Sequence, residues 1–134
     1  MLTNNNFKLF LHDAELLTLH IDRKIDSGKL VFRREDNSMV TVNMFEFWHV
    51  KCDKFGRQNV VSDFFLSSQG DMSKEFFLEQ LTWLCGGMIT LTEKQKEEKW
   101  ERCKEGEMEF IYLSPSVGAE LAVLCKRIEI VSNL

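Results

Sequence analysis

Alternation of apolar and polar residues, broken by short polar turns, is what most constrains this chain. In Ala14–Asp22, Leu17, Leu19 and Ile21 fall on one face and Leu16, Thr18 and His20 on the other, which is the period of a β-strand. Asp26-Ser27-Gly28 interrupts the run, and Lys29–Arg34 resumes it with Leu30 and Phe32 on one side and Val31 on the other. Glu35-Asp36-Asn37-Ser38 interrupts it again. Such residues suit tight turns because they bond their own backbone or tolerate positive φ. A third extended segment, Met39–Val50, changes phase between Val40, Val42, Met44 and Phe45, Phe47. A bulge or bend is therefore expected near Met44. Extended segments joined this closely pair as an antiparallel meander.

The remainder mixes strands and helices. Lys51–Asn59 reads as a loop and Val60–Leu66 as a strand covered on both sides. A helix is expected around 73–85. Ser73 is its N-cap, Glu75 lies in its first turn, Phe76, Phe77, Leu81 and Leu84 form its apolar side, and Gly86-Gly87 ends it. Met88–Leu91 suggests a short strand. Glu93–Glu105 carries five acids and five bases. Thr92 with Gln95 forms a capping-box pattern and Gly106 a stop, so a short charged helix around 93–105 is expected over a solvated hairpin. Glu107–Leu113 alternates again, and Ser114–Gly118 reads as a turn. Ala119–Val131 fits either a helix begun by Ser114-Pro115 or the second strand of a long hairpin; the turn between two alternating runs favours the hairpin. The polar, Asn-rich Met1–Asn6 is expected to fray. The fold expected is α+β and mainly β: an antiparallel sheet or small sandwich of six to eight strands with one packed helix and one charged helix.

Composition narrows the function classes. The 134 residues suit a single domain spanning 1–134. Eleven Phe against one Tyr point to largely buried rings. A net charge of −4 argues against non-specific binding to nucleic acid and favours a basic partner. No signal-peptide pattern and no long apolar run occurs, so a cytoplasmic protein without membrane association is expected. Cys52, Cys85, Cys103 and Cys125 are irregularly spaced and read as free thiols, some of them in the core.

Candidate chemistry is sparse. His12-Asp13 and His20 offer an acid–base pair or part of a metal site. Neighbours on a regular strand point to opposite faces, however, and His12 and His20 stand about 26 Å apart at full strand rise. His49 and Cys52 have HxxC spacing but no second ligand pair. Cys85 sits at a helix C-terminus, where the dipole disfavours a thiolate. No nucleophile elbow, phosphate loop, dinucleotide fingerprint or zinc-protease motif is present. Neither a metal nor a cofactor is expected. Trp48, in FEFWHV, and Trp100, in EEKWERC, are each a partner anchor or an inward-facing ring.

The run LHDAELLTLHIDR, with GKLVFR, FEFW, QNVVSDFFL and the closing GAELAVLCKRIEIV, resembles small bacterial domains with an N-terminal HDA motif, here His12, Asp13 and Ala14. Some of these are immunity proteins of polymorphic toxin systems, among them the immunity protein 50 type. The resemblance implies a non-enzymatic protein that binds and blocks a toxin made by the same cell, and it carries over no catalytic residue. An acidic inhibitor suits a basic toxin, and Glu97, Glu98, Trp100 and Glu101 are the expected contact residues. The alternatives are a ligand-binding protein or enzyme with its site near His12, Asp13 and His20, and a subunit of a homo-oligomer or larger assembly.

Overall fold

Two polar turns knit the first three strands together. β1 (Glu15–Asp22), β2 (Ser27–Arg33) and β3 (Met39–Asp53) pair antiparallel in succession. Asp26 (φ 52°) and Asn37 (φ 70°) take the left-handed conformation at the turns, where short polar side chains are tolerated. Beyond this meander come β4 (Val60–Leu66), α1 (Lys74–Cys85), α2 (Glu93–Lys104), β5 (Glu109–Val117) and β6 (Glu120–Asn133). The computed structural model describes residues 10–133, so the fraying expected for Met1–Asn6 lies outside the described residues. The strands form one antiparallel sheet in the order β1-β2-β3-β6-β5-β4, and β4 returns to β1 to close a barrel. Closure removes the sheet edges that an open arrangement would expose.

The closing seam is narrow. β1 and β4 share one paired position, Glu15 with Val60. Three backbone bonds of 2.8–2.9 Å flank it: Asp13 N–H to Val61 O, Val61 N–H to Ala14 O, and Leu16 N–H to Asn59 O. Asn59, 4% exposed, reinforces the seam from inside. Its Oδ1 accepts from Gly56 N–H at 2.9 Å and Ala119 N–H at 3.1 Å, and its Nδ2 donates to Gly56 O and Leu16 O. One amide therefore ties β1, the β3–β4 connection and the β5–β6 turn. Gly118 (φ 84°) lies so close that a Cβ there would overlap Gln58 O and Asn59 Oδ1.

Bulges set which side chains enter the barrel. Leu17 has no partner between the pairs Leu16–Phe32 and Thr18–Val31. Leu16 is therefore buried, and Leu19 and Ile21 pack against the same core; the expected grouping of Leu17 with Leu19 and Ile21 fails at that extra residue. The irregularity expected near Met44 falls slightly later. Asp26 accepts Glu46 N–H with its carbonyl and Phe47 N–H with its carboxylate. Glu46 turns to φ 58°, and Trp48 drops out of register with β6. β3 continues through this kink to Asp53, beyond the expected end at Val50.

Two apolar layers share the β5–β6 wall. Inside the barrel lie Phe32, Val42, Met44, Ile111, Leu113, Val123 and their neighbours. Outside, Phe110, Tyr112, Ala122 and Leu124 meet Phe77, Leu81 and Leu84 of α1 and Cys103 of α2. Covered on both faces, Leu121–Cys125 is uniformly buried, which explains why this strand reads ambiguously. β4 is divided in the same way, with Val61, Phe64 and Leu66 facing inward and Phe65 lying under the helices. Both helices start at the expected caps, Ser73 and Thr92, the latter in a full capping box with Gln95.

Two expectations fail. Residues 88–91 form no strand; they are a connection whose Ile89 and Leu91 lean on the helix layer. Ser114–Val117 belongs to β5, not to a turn, because past Leu113 this strand pairs with β4 alone, and an edge position accepts Pro115. Among the described residues, no helix is long and apolar enough to cross a membrane.

Asn59→Ala strands the buried donors and acceptors at the seam. It is expected to lower the unfolding free energy by about 2–3 kcal/mol in urea denaturation. Gln58→Ala, on the exposed neighbour, should stay within about 0.5 kcal/mol of the parent.

Candidate functional site

The helix layer holds the sequence-expected contact residues. At 100° per residue, Trp100, Glu97, Glu101 and Glu98 follow one another around one side of α2. Trp100 is half-buried, with its ring 5.2 Å from Phe77, whose own ring lies 5.0 Å from Phe110. This stack fastens α2 to α1 and α1 to the barrel. Glu97 bonds Lys74 Nζ across the helix pair at 2.5 Å. That bond, with the charges of Glu97, Glu101 and Glu75, holds the Lys74 ammonium above its ordinary range. Glu75, Glu98 and Glu101 are exposed, so Glu75, Glu97 and Glu101 form an acidic edge around one lysine, with Glu98 beside them on α2. Three bases of α2 turn elsewhere, with Lys99 4.8 Å over the Trp48 ring, Lys96 facing Glu93 and Arg102 facing Glu107, whereas Lys94 and Lys104 fall on the same side of the helix as the glutamates.

A recess of about 530 Å³ opens beside Trp100, lined also by Ser67, Ser68, Met72 and Cys103. Close by, Glu109 is buried at 6% exposure. Its Oε2 accepts from Ser67 Oγ and Ser68 N–H, both at 2.8 Å, while Ser67 Oγ accepts from Phe110 N–H at 2.9 Å. Burial raises the Glu109 carboxyl above its ordinary range despite these donors. Burial, with the charge of Glu109, pushes the Cys103 thiol up to about 12, so it stays protonated at neutral pH. Sequence reasoning missed Glu109. The available signal was its place in an alternating run between Met108 and Phe110, but only the helix layer buries the second face of that run.

The alternative site is partly assembled. His12 and Asp13 precede β1 in a turn, and Asp13 takes φ 65°. The opposed directions expected of strand neighbours therefore do not apply. His12 Nε2 comes 3.5 Å from Asp13 Oδ2, and its Nδ1–H donates to Ser62 O at 2.5 Å. The bond to Ser62, then the charge of Asp13, raises the His12 pKa. Both side chains are open to solvent, at 71% and 50% exposure. His20 is not brought to them; it lies exposed on β1 opposite Lys29. Cys52 packs against the barrel core, whereas His49 lines a pocket at the barrel mouth. All four cysteines are free. Among the described residues, no group of three or more His, Cys, Asp or Glu is placed to hold a metal ion.

Glu109 supplies a test of the buried network. Its folded-state pKa is raised, so its contribution to stability is complete below the ordinary value of 4.5 and is lost as pH rises through the folded value. Glu109→Gln keeps an acceptor for Ser67 and Ser68 without the charge. Denaturation across pH should show the variant gaining on the parent as pH rises from about 4.5 through the folded value, with the gap closing below 4.5. The chain matches no protein-family model and no curated protein sequence.

Proposed function

We propose that this protein is a non-enzymatic protein-binding module, and most concretely an immunity protein that binds and neutralises a cognate bacterial toxin with a basic surface. The acidic edge of the helix pair carries this reading: Glu75, Glu97 and Glu101 around Lys74, with the exposed Glu98 beside them on α2. These carboxylates sit on helices anchored by the Trp100–Phe77–Phe110 stack, and a charged surface fixed in place before encounter steers a partner of opposite sign. Covering the toxin's active site or substrate path then needs no chemistry from the inhibitor. In this role the protein works in the cytoplasm of the toxin-producing cell, where its free thiols stay reduced.

A second reading places a ligand or acid–base site at His12 and Asp13, favoured by their 3.5 Å approach. Their exposure leaves that pair without the water-excluded setting that strengthens such chemistry.

The test is co-expression and purification with the product of the neighbouring gene, assayed for toxicity, followed by binding kinetics. Replacing Glu98 and Glu101 with Lys should leave the melting temperature near that of the parent. The association rate should fall by about tenfold, and much of the salt dependence should disappear. Unchanged association and salt dependence would remove the acidic edge from the interface. Failure of the parent to bind or neutralise the toxin would count against the role itself.

A further inference from the structure

The mouth of the barrel holds a second recess that the proposed toxin contact does not use. It lies where the β1–β2 turn folds over the kink in β3 and has a volume of about 550 Å³. That is within the roughly 300–1,000 Å³ typical of small-molecule sites, which favour barrel mouths. Ile21, Phe47 and Val50 give it apolar walls, and all three also pack against the barrel core. The kink shapes the recess. Asp26 holds the backbone of Glu46 and Phe47, and Gly28 leaves room for the Phe47 ring, whose Cζ lies 3.0 Å from where a Cβ would stand. Trp48 adds an aromatic edge, with His49 at 74° to it.

The polar groups on the rim point to the ligand's charge. Arg23 lines the recess, and no hydrogen bond or ion pair engages its guanidinium among the described residues. The His49 imidazole is likewise without a hydrogen-bond partner there. Lys99 stands over the Trp48 ring. Asp26 is the acid on this rim, and its Oδ1 is turned to Phe47 N–H at 3.1 Å. Two unengaged nitrogen donors above apolar and aromatic walls match a ring that carries an anionic group.

We infer that the barrel mouth binds a small aromatic carboxylate, with its ring among Ile21, Phe47, Trp48 and Val50 and its carboxylate at Arg23 and His49. A guanidinium is suited to a carboxylate because it presents paired donors in one plane.

Three probes of one shape separate the contributions: phenylacetate, 2-phenylethanol and 2-phenylethylammonium, each titrated into the protein. Binding is read from the Trp48 indole and His49 ring resonances. Phenylacetate should saturate both, about fivefold more tightly than the alcohol, with the ammonium weakest. Arg23→Gln, at an exposed position, should bring phenylacetate to the affinity of the alcohol and leave the alcohol unchanged. No saturable shift with phenylacetate, equal affinity for acid and alcohol, or preference for the ammonium would each overturn the assignment.

Discussion

The Asn59 amide at the β1–β4 seam is the contact on which the rest of the architecture depends. Every other junction in the barrel is a ladder of several paired residues, whereas this one has a single paired position and three flanking backbone bonds. A buried primary amide would be a liability without partners. Here its oxygen and nitrogen are both engaged, and the groups they engage come from three separate parts of the chain. Gly118 completes the arrangement by leaving no side chain where Asn59 must sit. Closure of the ring and placement of the β5–β6 turn are thus one event.

That placement matters because β5 and β6 serve two layers. Their inward residues fill the barrel, and their outward residues are the floor on which α1 and α2 rest. α2 is too polar to hold its position by its own apolar surface. It is fastened by a few contacts: Cys103 buried in the layer, Trp100 against Phe77, and the Glu97–Lys74 ion pair. Exposed ion pairs contribute little to stability, so the aromatic stack holds the helix while Glu98 and Glu101 stay exposed. The surface proposed for toxin contact is thereby tied, through Phe77 and Phe110, to the wall that the seam positions.

Much of this was legible in the residues. Alternation located the strands, and Ser73, Thr92 with Gln95, Gly86 and Gly106 bounded the helices, because these signals are local. Closure was not legible, since pairing of Glu15 with Val60 joins residues far apart in sequence. The phase changes at Leu17 and Trp48 were hidden for a related reason. A bulge is imposed by the neighbouring strand or turn, as Asp26 does to Glu46 and Phe47. Asn59 and Glu109 look like ordinary polar residues until a second layer buries them. His12 and Asp13 converge only because Asp13 adopts a turn conformation that strand geometry does not anticipate. Trp100 left two readings open; it packs inward on Phe77 and still lines the recess beside α2.

Native-state hydrogen exchange tests the role of the seam most directly. The amides of Asp13, Leu16 and Val61 cross it, and Ala119 N–H reports on the Asn59 side chain. If closure is part of the cooperative unit, these amides exchange with the same opening free energy and the same denaturant dependence as the central β3–β6 amides. Exchange of the seam amides through a low-energy local opening, while β3 and β6 stay protected, would show that the barrel stands without its seam and contradict the account.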